Sequence, residues 1–168
     1  MLSEHKKPYI YFSSNPVVAA FYTVHCIERP YNWFPYGFHK DNIPVYDEYY
    51  PGAFSDVYSG KQGFIYCCDD IFDMQNPTNI NCAYVCEHDI EVGNVIEIAD
   101  MYEWFLEREK NDELKINLYE NLTQKQKDGF RKIILNEIEE NDLKHKPDCG
   151  YSKFIREKFP DIWNESHA

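Results

Sequence analysis

An α+β fold is what the sequence predicts, and three observations carry it. Segments of strand and helix character interleave without the regular β-α alternation of a doubly wound sheet. The segment Pro8 to Glu28, PYIYFSSNPVVAAFYTVHCIE, reads as one strand, one tight turn and one buried helix. Further on, Thr123 and Gln126 spell a capping box ahead of Phe130, Ile133, Ile134 and Ile138, which fall at helical spacing. The expected architecture is a single compact domain. It has small mixed or antiparallel sheets, a buried helix after the first strand, and a C-terminal helical segment over 144–168.

Residues 1–7 are polar and are expected to be a flexible N-terminus. Tyr9 to Phe12 are aromatic and β-branched behind Pro8, the composition of a strand. Ser13, Ser14 and Asn15 offer N-cap side chains, and Pro16 stands where a missing N–H costs nothing. Val17, Val18, Ala20, Phe21, Tyr22, Val24 and Ile27 leave almost no polar stripe, so this helix should be covered on most sides. The stretch 29–51 that follows holds four prolines and one glycine among many rings, which argues against regular structure there. Two readings of that loop stand side by side: a stacking surface for a ligand ring, or a plug for the core.

A short helix is expected over Pro51 to Tyr58, with Gly60 as its stop and Gly63 opening a strand through Phe64 to Cys68. Asp69 to Asn81 reads as a connection, and Cys82 to Glu87 and Val92 to Ile98 as strands. Asp100 should cap a helix over about 101–110 that gathers Tyr102, Phe105 and Leu106 on one face. Leu114, Ile116 and Leu118 alternate with Lys115 and Asn117, the pattern of a half-buried strand near a sheet edge. After the capping-box helix, a linker leads to a last short helix capped by Ser152 and ended by Pro160, with Ile162 and Trp163 pinning the tail.

Charge narrows the partners. With 29 acidic against 17 basic residues the chain carries a formal charge of −12, which repels nucleic-acid phosphates and anionic membranes. No apolar run approaches a membrane span and no secretion signal follows Met1, so a cytoplasmic protein is expected. Its six cysteines then read as free thiols. Cys82, Cys86 and His88, with vicinal Cys67 and Cys68, have zinc-ligand chemistry but lack paired knuckles, so no metal is expected. Neither nucleotide-binding glycine fingerprint occurs, which removes kinase-like and Rossmann chemistry. Nucleophile and base combinations of Cys26, Ser13 or Ser14 with His25, His39 or His88 have no local elbow to support them. Glu87, Asp89, Glu91 and Glu97 gather around the end of one strand pair, where most such charges simply face water.

The run Tyr9 to Tyr22, YIYFSSNPVVAAFY, resembles the second motif of ADP-ribosyltransferase-like domains, in which a strand ending in tyrosine and serine leads into a helix with alanine and tyrosine. The segments RPYNWFPYGF and EYYPGAFSDVYSGKQGFIY look like a bacterial branch of that fold. The resemblance implies an NAD cleft between two small sheets. In it Tyr11 would stack on nicotinamide, Ser13 would support the site and Tyr22 would form a second wall. Trp33 and Tyr36 are further ring-stacking candidates, and Glu91 or Glu97 would hold the ribose as positive charge develops on it. Such domains also carry an earlier strand with a ribose-binding histidine or arginine. His5 lies too close to Tyr11 for that role, so either the natural chain starts upstream of Met1 or the site is degenerate. The resemblance thus implies a weakly active or inactive nicotinamide-nucleotide-binding domain. The alternative is a non-catalytic domain that binds a protein partner through loop 29–51.

Overall fold

The computed structural model describes residues 8–24, 36–69, 72–78 and 80–166. Its class is α+β, as expected. Contacts divide the described chain into two compact units. The first draws on residues 8–24 and 58–108, the second on 36–57 and 109–166.

In the first unit, β1 (Ile10–Ser13) pairs antiparallel with β5 (Ala83–Cys86), placing Tyr11 across from Val85 and Ser13 across from Ala83. A second antiparallel pair joins β4 (Gly63–Cys67) to β6 (Asn94–Ile98), with Phe64 across from Glu97 and Tyr66 across from Val95. Between β1 and β4 in sequence comes α1 (Pro16–Ala20), and Asn15 rather than either serine caps it: its Oδ1 accepts from the N–H groups of Val17 and Val18 at 2.9 and 3.4 Å. The helix is shorter than the sequence suggests. Tyr22 and Thr23 N–H groups turn back to Ala19 and Ala20, and the Thr23 hydroxyl also takes the Ala20 carbonyl, which closes the last turn at Ala20. Ile27 and the expected remainder of the helix lie outside the described residues. Val17, Val18, Ala20, Phe21 and Val24 are buried as expected, whereas Tyr22 is exposed.

Phe21 stacks on Phe105 of α3 (Met101–Lys110) at 5.1 Å between centroids, and Tyr58 stands edge-on to Phe105 at 4.8 Å. Asp100 starts α3 as anticipated, accepting from the N–H groups of Tyr102 and Glu103, while its other oxygen takes the N–H of Gly60. Gly63 of β4 packs tightly against Met101 and Thr23. A Cβ there would sit 2.3 Å from Met101 Sδ and 2.8 Å from Thr23 Oγ1.

The second unit corrects the reading of 36–51. Instead of irregular chain it contains a hairpin of β2 (Tyr36–Phe38) and β3 (Pro44–Asp47), turned through Asn42 at φ 59°. Pro44 does not disturb the ladder because it is the first residue of its strand. On the other side of β3 runs β7 (Lys115–Asn117), parallel and at the sheet edge, where the alternation of 114–119 had placed it. Leu114 is buried, but Leu118 at the end of that alternation is exposed. Tyr46 is buried against Phe54 of α2 (Ala53–Tyr58) at 4.8 Å.

A second cluster joins Tyr50 and Ala53 to Ile134 and Ile138 of α4 (Gln124–Glu140), and to Phe154, Phe159, Ile162 and Trp163. The capping box of α4 forms as read from sequence. Ile133 departs from the expected face and is exposed, one position away from buried Ile134. Two further corrections concern the tail. Cys149, not Ser152, caps α5 (Gly150–Lys158) through its sulfur, and Ser152 lies buried with its hydroxyl near the Lys146 and Leu143 carbonyls. α5 does stop just before Pro160, but it is not the last helix, because Pro160 also begins α6 (Pro160–Glu165), at the first-turn position that tolerates its missing N–H. Ile162 and Trp163 do pin the tail by burial. No described helix is long and apolar enough to cross a membrane.

Candidate functional site

The first unit opens a cleft of about 950 Å³ between the end of β1, the turn into α1, and β4. Its position follows from local rules. Tyr11 and Ser13 share one face of β1 by strand alternation, the Asn15 cap fixes where α1 departs, and the early end of α1 leaves Tyr22 on the rim. Phe64 and Tyr66 share one face of β4, and Tyr84, Met74, Cys67 and Cys68 complete the lining.

Four rings on this face are exposed. Tyr11, Tyr22 and Tyr66 are 50%, 56% and 64% exposed, with Phe64 exposed as well. Rings left in water inside a concave surface are what a flat apolar ligand needs. Some of their geometry is fixed: Tyr9 stands edge-on to Tyr11 at 6.3 Å, and Phe12 stacks on Tyr84 at 5.9 Å with planes 22° apart. The Ser13 hydroxyl accepts from the Asn15 N–H at 3.1 Å and keeps its proton for another acceptor.

Of the residues singled out from sequence, the cleft brings together Tyr11, Ser13 and Tyr22. Glu97 lies on the same exposed face of its sheet as Phe64, its cross-strand neighbour, but it is not among the lining and its Oε1 accepts from Gln62 Nε2 at 2.6 Å. Glu91 sits in the exposed 87–93 connection and is likewise not part of the lining. Trp33 lies outside the described residues, and of Tyr36 only the backbone at the start of β2 is described. Within 36–51, Tyr46 and Tyr50 are buried and fill the core, which is the plug reading for those two rings.

Phe64 and Tyr66 were not singled out, although their i, i+2 spacing in GFIYC is the signal of one aromatic strand face. None of the described lining residues carries a formal charge. The thiol of Cys68 is pushed up, first by burial and then by neighbouring Cys67, Asp69 and Cys86, so it stays protonated at neutral pH. The cysteine and histidine candidates for a metal do not converge. Among the described residues no group of three or more His, Cys, Asp or Glu side chains could hold an ion. Cys86 is buried with its Sγ donating to the His88 carbonyl at 3.3 Å. The His88 ring nitrogens lie 3.0 Å from the Asp89 carbonyl oxygen and 3.2 Å from that of Phe72, and these contacts push its pKa up. No family model, no curated protein and no solved structure matches this chain.

Proposed function

We propose that the cleft of the first unit is a nicotinamide-nucleotide site of ADP-ribosyltransferase type that binds the nicotinamide ring and transfers ADP-ribose slowly or not at all. The observation that carries this reading is that Tyr11, Ser13 and Tyr22, the residues of the tyrosine-serine motif, line one open cleft with Phe64 and Tyr66 of a second small sheet. An aromatic pair of this kind contributes about 0.5–1.5 kcal/mol beyond area burial, enough for weak ring recognition. Ser13 retains a donor for the carboxamide oxygen.

The same lining argues for slow chemistry. Departure of nicotinamide leaves an oxocarbenium-like ribose, which needs a fixed carboxylate, and a dinucleotide needs cations or N–H groups around its diphosphate. No described lining side chain is a carboxylate or a cation. Glu97, on the sheet that carries Phe64, is the nearest match in register, and its bond to Gln62 would have to open first.

Thermal-shift and calorimetric titrations with nicotinamide, NAD and ADP-ribose test the reading, because a ligand that binds only the folded state raises the melting temperature. Nicotinamide and NAD should bind weakly, and Tyr11→Ala or Tyr66→Ala should each weaken them. Labelled NAD should release little nicotinamide. Absence of binding, or binding indifferent to both substitutions, would remove the cleft as the site. Brisk release that disappears in Tyr11→Ala would overturn the slow-transfer half of the proposal.

A further inference from the structure

The second unit holds a different kind of pocket. Gln124, Lys127, Asp128 and Arg131 are spaced three, four and seven apart and therefore share one side of α4. They wall a pocket of about 430 Å³ whose other sides include Tyr49, Phe130 and Lys158. Three cations line this small space in a chain of net charge −12. Two are already engaged: Arg131 pairs with Glu165, and Lys158 lies 3.3 Å from Asp56 and 3.1 Å from Glu157. Both pairs are partly open to water, where such contacts are weak and exchangeable. Lys127 makes no ion pair among the described residues, and its ammonium lies 4.7 Å from the centroid of Tyr119. Two carboxylates share the lining. Asp128 is tied to Gln124 Nε2 at 2.9 Å, and Asp161 is the other.

Beside these charges the rings of Tyr49 and Phe130 lie 4.2 Å apart, 32° from parallel, and form an aromatic wall. We propose that this pocket binds a small aromatic anion, an aryl carboxylate or aryl phosphate, with the anionic group at Lys127 and Arg131 and the ring against Tyr49 and Phe130. Glu165, Asp56 and Glu157 balance Arg131 and Lys158, which leaves Lys127 as the lining cation without a carboxylate partner among the described residues and suits a ligand of low negative charge. The volume fits one ring and one anionic group.

The test is a calorimetric or saturation-transfer titration of the full chain with benzoate and with phenyl phosphate. Inorganic phosphate and acetate serve as the anion alone, and benzyl alcohol as the ring alone. At least one aryl anion should bind about tenfold more tightly than any of these fragments, and added salt should weaken it. Which aryl anion binds better distinguishes the carboxylate source from the phosphate source. Lys127→Gln should weaken binding about fivefold or more while its melting temperature stays that of the wild type, and the same change at exposed Lys110 should have no effect. If neither aryl anion binds, if a fragment alone binds as tightly, or if Lys127→Gln binds as wild type does, the proposal is wrong. Because the cleft of the first unit is not involved, these outcomes are independent of the nicotinamide reading.

Discussion

The buried hydroxyl of Tyr58 donates to the carbonyl oxygen of Phe21 at 3.1 Å, just past the end of α1. That bond anchors the chain just past α1, where the Phe21 ring stacks on Phe105. Phe21→Ala should cost about 3–5 kcal/mol in chemical denaturation, because a fully buried ring leaves a cavity. Tyr58→Phe keeps the ring and removes this bond, and should cost about 0.5–1.5 kcal/mol. An unchanged midpoint for Phe21→Ala would contradict its place in the core.

Glu48 organises the second unit in a way its sequence context does not advertise. Its buried carboxylate accepts from the backbone N–H groups of Phe54 at 3.0 Å, Tyr119 at 3.1 Å and Gly52 at 3.3 Å, which ties the end of β3 to α2 and to the 3₁₀ turn Tyr119–Asn121. Glu48→Gln retains the shape but loses the charge and turns an amide N–H₂ toward a donor. Denaturant unfolding should show a loss of about 1.5–3 kcal/mol, and a larger one for Glu48→Ala.

Tyr49 gives an alkaline prediction. Burial, then Glu137 and Asp47, push its phenol up to about 12 from 10.0. The folded state therefore holds the proton more tightly than the unfolded chain does. The associated stability is complete below pH 10 and is lost as pH rises from there to about 12, a difference of about 2–3 kcal/mol. Unfolding measured across that range should fall less steeply in Tyr49→Phe than in wild type. Equal slopes would mean that the hydroxyl is solvated.

At His88 both ring nitrogens face carbonyl oxygens, an arrangement that suits the doubly protonated imidazolium. Its pKa should lie above 6.5, first because of the Asp89 carbonyl and then that of Phe72. The sign follows: the tether between residues 72 and 89 is complete below pH 6.5 and weakens as pH rises through the folded pKa. Imidazole chemical shifts followed by NMR should show a midpoint above 6.5, and amide exchange at residues 72–75 should quicken once it is passed. A midpoint at or below 6.5 would show that the two contacts do not persist in solution.

What the sequence determined by itself was local. The Asp100 cap, the Thr123 and Gln126 box and the Asn15-capped turn into α1 depend on residues within a few positions of one another, where side chain and backbone meet through short hydrogen bonds. The tertiary structure decided the rest. That the prolines of 36–51 permit a hairpin depends on β7 arriving beside β3 from seventy residues away. The α1 helix stops at Ala20 while Phe21 finds its partners in Tyr58 and Phe105. Tyr11 and Tyr22 share a cleft with Phe64 and Tyr66 because one unit draws on two separated stretches of chain, whereas Glu91 and Glu97, selected for charge and proximity in sequence, fall outside its lining. Periodicity reports which way a side chain points along its own element, but burial and the meeting of remote strands are properties of packing, fixed only when the apolar faces of distant segments find one another.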